Sequence, residues 1–281
     1  MYTRRPVAAL LVTAALLAAG SVAIAQLPMS SRPRSGAGVT PVFEGWYTNP
    51  DGTLTLSFGY FNRNTEETVQ VSLGENNRFD GGEPDRGQPA VFLPGRQWGV
   101  FGVRVLPDMG DAKVYWTLNI RGESHSVPGH LDRGYYLDAL EGEAGTGNTP
   151  PVLRLAPDGT PSQGPAGNVG LSLTARVGEP VSLSVWANDD WRFEPYWHRG
   201  RDPDRLTLTW QRYRGPGNVS FDSATVEIVR GSEGVATTGA TFEEPGEYVV
   251  RVLANDVSGT ASAGAAQCCW TNAYVRVTVS P

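Results

Sequence analysis

The chain has 281 residues and a net charge of −6, with 34 glycines and 21 prolines against only 19% charged residues. That balance gives nucleic acid or an anionic membrane no electrostatic attraction, and it fits a turn-rich β protein better than a helical one. The only cysteines, Cys268 and Cys269, are adjacent, so no long-range disulfide can staple the fold.

The chain opens with Arg4 and Arg5, an apolar stretch from Val7 to Ala19, and Ala23-Ile24-Ala25 before Gln26. Residues 1–25 therefore read as a secretory signal peptide, which places the mature protein in the periplasm or outside the cell. The apolar stretch falls short of the about 20 residues a spanning helix needs, so no integral membrane segment is expected after cleavage. Paired arginines also admit the twin-arginine route, although Pro6 follows them directly and the usual flanks are missing. Residues 26–40, rich in Ser, Pro, Gly and Arg, read as a flexible leader.

The expected fold class is all-β: two tandem antiparallel β-sandwich domains, over residues 41–140 and 152–281, joined by a linker at 141–151. In the first, Trp46 and Tyr47 precede the turn Asn49-Pro50-Asp51-Gly52, and 53–60 alternate with Leu54, Leu56, Phe58 and Tyr60 on one face. Further strands are predicted at 68–73, 98–106 and 113–120. The linker, Glu-Gly-Glu-Ala-Gly-Thr-Gly-Asn-Thr-Pro-Pro, is almost without apolar residues. Beyond it, strands are predicted at 171–177, 181–187, 206–213, 219–221, 236–242, 246–255 and 272–279, a number that suits an immunoglobulin-type sandwich.

The order of motifs in this second half resembles the PKD-like modules of exported bacterial proteins. The resemblance rests on Asn148-Thr149-Pro150-Pro151-Val152, on the stretch ending Asn188-Asp189-Asp190, and on Leu206-Thr207-Leu208-Thr209-Trp210 with Gly215-Pro216-Gly217-Asn218-Val219-Ser220-Phe221. Thr241-Phe242 and the run from Pro245-Gly246-Glu247-Tyr248 to Ala254-Asn255-Asp256 complete it. It implies an immunoglobulin-type fold over 148–281, with Trp210 in the core and Tyr248 as a corner tyrosine bonded to backbone. Two places depart from the pattern: a long aromatic loop at 191–204, and Gln267-Cys268-Cys269-Trp270-Thr271-Asn272 where a short polar turn is usual. The first half is similar to the leading domain of uncharacterised exported proteins through the run Gly59-Tyr60-Phe61-Asn62-Arg63-Asn64, which implies no activity.

Catalytic signatures are missing. His125, His130 and His198 lie in two different domains, with no Gly-x-Ser-x-Gly elbow and no His-Glu-x-x-His helix. The expectation is therefore a non-catalytic binding or interaction protein, with an unrecognised hydrolase or accessory protein acting on polysaccharide, and a structural spacer, as alternatives. The hydrolase reading would use Asp189, Asp190 and Glu194 as carboxylates beside the aromatic loop.

The candidate ligand-binding residues are Trp191, Phe193, Tyr196, Trp197 and His198, rings that can stack on a glycan or anchor an envelope protein, or else fold back over the neighbouring domain. Asn188, Asp189 and Asp190 should meet Asn255 and Asp256 at one pole, a set of hard oxygens that suits calcium, the single cofactor considered, or that simply caps turns. Cys268 and Cys269 are read as a vicinal disulfide constraining a turn, with pairing between chains, free thiols or a soft metal as the other readings.

Overall fold

The computed structural model describes residues 31–140, 147–192, 200–259 and 268–281. The signal-peptide segment, residues 26–30 of the leader and residues 141–146 of the linker thus lie outside the described residues. Residues 33–281 form one compact unit.

The first half contains β1 (Val39–Thr48), β2 (Leu54–Asn62), β3 (Val69–Gln70), β4 (Asn77–Asp80), β5 (Val91–Phe92), β6 (Gly95–Val105), β7 (Val114–Ile120) and β8 (Glu123–Gly129). They build sheets ordered β1-β2-β6 and β4-β7-β8, with a short β3-β5 pair. Trp116 is fully buried among the rings of Phe58, Phe79, Phe92 and Phe101, with centroids 5.0 to 6.3 Å away. Its indole N–H donates to Asn77 Oδ1 at 3.0 Å, and the buried Asn77 amide donates in turn to the carbonyls of Val71 and Pro89. The core thus tolerates a polar side chain because its hydrogen bonds are met.

Two features differ from the sequence expectation. Order begins before Pro41: the carbonyls of Pro33 and Arg34 accept from the amides of Thr65 and Glu66, Asn64 bonds both backbone groups of Ala37, and β1 opens at Val39. Alternation along β2 places Leu56, Phe58 and Tyr60 in the core, yet Thr55 and Ser57 on the opposite face are 1% and 0% exposed. That face is covered too, because Leu137 and Ala139 pack on Tyr47 and the Tyr47 hydroxyl accepts from the Ala166 amide.

The second half contains β9 (Val152–Arg154), β10 (Ser162–Gln163), β11 (Val169–Arg176), β12 (Val181–Asn188), β13 (Arg205–Arg214), β14 (Val219–Phe221), β15 (Thr225–Val229), β16 (Val235–Phe242), β17 (Gly246–Asn255) and β18 (Trp270–Ser280). All seven predicted strands are present; β9, β10 and β15 are short additions at or near sheet edges. The two five-stranded sheets, β10-β9-β12-β16-β14 and β11-β18-β17-β13-β15, enclose one apolar core that includes Leu183, Val185, Leu208, Trp210, Phe242 and Val252. Pairing is antiparallel apart from β11, which runs parallel to β18. Trp210 is in the core as expected, and the Tyr248 hydroxyl donates to Glu244 O and accepts from Gly217 N. Trp270 opens β18 and is buried, where the sequence suggested a loop.

The halves are not beads on a string. Tyr213 and Tyr274 of the second half belong to the same apolar cluster as Trp116. Backbone joins backbone where Ala90 N donates to Tyr213 O. Arg214 forks onto Asp85 at 2.9 and 2.7 Å and also reaches Gln88 O, the bidentate geometry in which an arginine pair is strongest. At the centre, the fully buried Asn272 donates to Gly99 O and Pro165 O and accepts from Arg251 Nε at 2.8 Å. Trp270 Nε1 adds a second bond to Gly99 O, and the Tyr274 hydroxyl donates to Val100 O.

Candidate functional site

The predicted acidic pole exists as a set of loops tied to one another. In register, Asn188 at the end of β12 faces Val152 at the start of β9, and Asn255 at the end of β17 faces Trp270 at the start of β18. All four strand ends therefore lie at one pole. Thr149 donates to Asp190 Oδ2 from its amide and its hydroxyl, both at 2.9 Å. One residue earlier, Asn148 Nδ2 donates to Asp256 Oδ2 at 2.7 Å and to Ser258 Oγ at 2.9 Å. The opening segment thus bridges the two acidic turns, one from each sheet.

Asp189 and Asp190 shape the start of the aromatic loop. Asp189 Oδ2 accepts from Trp191 N and Asp190 Oδ1 from Arg192 N, two successive side-chain turns of the kind Asp favours. Trp191, at φ 55°, is half-buried and packs on the second core, which is an anchoring role. At the far end of the loop Arg201 donates to Val257 O at 2.5 Å. Phe193, Glu194, Tyr196, Trp197 and His198 lie outside the described residues.

Asp189 is only 8% exposed, and its Oδ1, like Asn255 Oδ1, is buried with no hydrogen-bond partner among the described residues. Burial pushes the Asp189 carboxyl up to about 6, with the adjacent Asp190 charge adding to the rise against the bond from the Trp191 amide. Between an unfolded value of about 3.9 and that folded value, the native state holds a proton that the unfolded chain has released, so this group's contribution to stability falls as pH rises through the window. Asp189→Asn is accordingly expected to stabilise the protein at pH 7 by about 1–3 kcal/mol and to make no difference near pH 4. Thermal melts of both forms across that range test it; a gap that does not change with pH would show that Asp189 is not the titrating group.

Cys268 and Cys269 are joined to each other as a vicinal pair. Both are buried, so neither is free to pair with another chain. Their sulfurs lie 3.3 and 3.2 Å from Asn148 O, contacts rather than hydrogen bonds because disulfide sulfur carries no proton. The bridge therefore sits beneath the segment that joins the acidic turns.

The histidines of the first half serve other purposes. His125 pairs with Glu123, and His130 packs between Phe43 and Tyr135. Among the described residues no group of three or more His, Cys, Asp or Glu side chains is arranged to hold a metal. No helix among them is long and apolar enough to cross a membrane.

Strand order defines the class of protein. Within the two five-stranded sheets the runs β9-β12-β16-β14 and β18-β17-β13 have the order of the two sheets of an immunoglobulin-type sandwich, with β10, β11 and β15 added at the edges. No protein-family model matches the chain, and no curated protein matches it at a significant level. Solved structures similar to it include the S-layer protein SbsC domains 4 and 5, at 11% identity over 87% of this chain and 98% of that one, with a TM-score of 0.25. The D00-D0 domain of Intimin gives 14% identity, 86% and 100% coverage and a TM-score of 0.25. The adhesin InvE of Yersinia pseudotuberculosis gives 12%, 85% and 58%, and 0.26. The immunoglobulin-type assignment rests on the strand order itself.

Proposed function

We propose that this is an exported, non-catalytic interaction protein whose second half, a PKD-like sandwich, presents the aromatic loop to a glycan or an envelope protein. One observation carries the reading: both ends of the loop are pinned to strand ends of opposite sheets, through Asp189 and Asp190 on one side and Arg201 on Val257 O on the other. A loop held at both ends loses less entropy when it binds. The first half serves as a rigid support, since the two halves share one apolar cluster and a buried polar network. The same pole supports calcium as a stabilising ligand, because Asp189 Oδ1 and Asn255 Oδ1 are buried acceptors left without a donor among the described residues.

Full chain immobilised on a support should retain a specific glycan or envelope protein, and changing Phe193, Tyr196 and Trp197 together to Ala should reduce retention at least tenfold, a loss of about 1.4 kcal/mol of binding free energy. Trp191 is left in place because it packs on the core. Undiminished retention by the triple variant, or none by the unaltered protein with or without calcium, would remove the loop from the account.

A further inference from the structure

The outward face of β18 meets the first half closely at one end and parts from it at the other. Asn272 is locked onto Gly99 O and Pro165 O, and Tyr274 reaches Val100 O through its hydroxyl. Two residues further on, Arg276 is exposed; its side chain makes no hydrogen bond or ion pair among the described residues, though its charge helps hold the nearby Asp85 carboxyl down. It stands at the mouth of a cleft of about 340 Å3 between the halves, walled by Phe101, Tyr213, Tyr274, Val249 and Arg214. A second hollow of about 630 Å3 continues past Arg214 and Arg276.

Positive charge is concentrated here in a protein whose net charge is −6. Arg86, Arg214 and Arg276 line the cleft against one carboxylate, Asp85, with Glu247 joining at the adjoining hollow. Arg214 already holds both oxygens of Asp85, and Arg86 donates to the carbonyls of Glu83 and Gly81, so among the described residues Arg276 is the lining cation whose side chain is left to a ligand. Behind the tyrosine wall is another: Arg251 is 2% exposed, is paired in register with Tyr274, and has Asn272 Oδ1 as acceptor rather than a carboxylate. A buried cation with no counter-ion among the described residues raises the potential of the adjacent low-dielectric cleft.

We propose that this cleft binds a small organic acid, its carboxylate on Arg276 and its body against Phe101, Val249 and Tyr274. The apolar part of the wall favours an acid with a ring-sized body over a bare inorganic anion. The volume lies at the lower end of small-molecule sites and suits such a body. Position between two packed domains is also where such sites concentrate.

Isothermal titration of the full chain with D-glucuronate and with benzoate distinguishes a sugar acid from an aromatic acid, with glucose, benzyl alcohol and inorganic phosphate as controls. The expected result is that at least one acid binds in the millimolar range or tighter, while its neutral counterpart binds at least tenfold more weakly. Arg276→Gln should weaken the acid about tenfold and leave the melting temperature unchanged, because the side chain is exposed and bonds to nothing else. Failure of both acids to bind, equal binding of the neutral counterparts, phosphate bound as tightly as either acid, or full affinity in Arg276→Gln would each overturn the proposal.

Discussion

Asn272→Ala should lower the unfolding free energy by about 3–5 kcal/mol, because it removes donors to two buried carbonyls and strips a buried arginine of its acceptor at once. Asn272 is 0% exposed and Arg251 2%, so no water compensates for either loss. The cationic side of the pair makes the difference: an orphaned guanidinium costs more than an orphaned amide. Urea denaturation followed by tryptophan fluorescence measures the effect. A loss below about 1 kcal/mol, the net worth of one ordinary hydrogen bond, would mean that the network does not hold the halves together. Asn272 bridges the first half to the second, so the variant should also separate one cooperative transition into two.

Gly99→Ala should cost about 2–4 kcal/mol, from a strained backbone and from a methyl group driven into a filled space. Gly99 has φ +42°, and an added Cβ would lie 2.5 Å from Trp270 Cζ2 and 3.0 Å from Pro165 Cβ. Neither neighbour can retreat easily, since Trp270 is buried and its indole N–H is bonded to Gly99 O. Gly87→Ala is the control, as φ there is +96° but an added Cβ meets nothing within 4 Å. Thermal melts should show the Gly87 variant losing only the backbone part, about 1–2 kcal/mol. Equal losses in the two variants would mean that the wedge between Gly99 and Trp270 contributes nothing.

The acidic pole was legible because its residues are local: Asp189 and Asp190 turn the chain by bonding amides two residues on, and strand register brings the partner loops to the same end. The Asn148 bridge to Asp256 was not legible, since the two are 108 positions apart and nothing in a polar linker marks one residue as buried. Arg251 and Asn272 were missed for a related reason. Each lies on what alternation assigns to a solvent face, and a polar side chain on such a face reads as ordinary solvation.

Sequence by itself determined that the chain is all-β and where the seven principal strands of the second half lie, while the structural roles of Trp210 and Tyr248 came from the family resemblance. Periodicity and turn chemistry act within a few residues, so they survive without knowledge of the rest of the fold. Tertiary structure alone decided that Tyr213 and Tyr274 of the second half complete the core of the first, that Trp191 anchors its loop, and that a cationic cleft opens beside β18. Those outcomes depend on which surface of one half is removed from water by the other, a property of distant residues in contact.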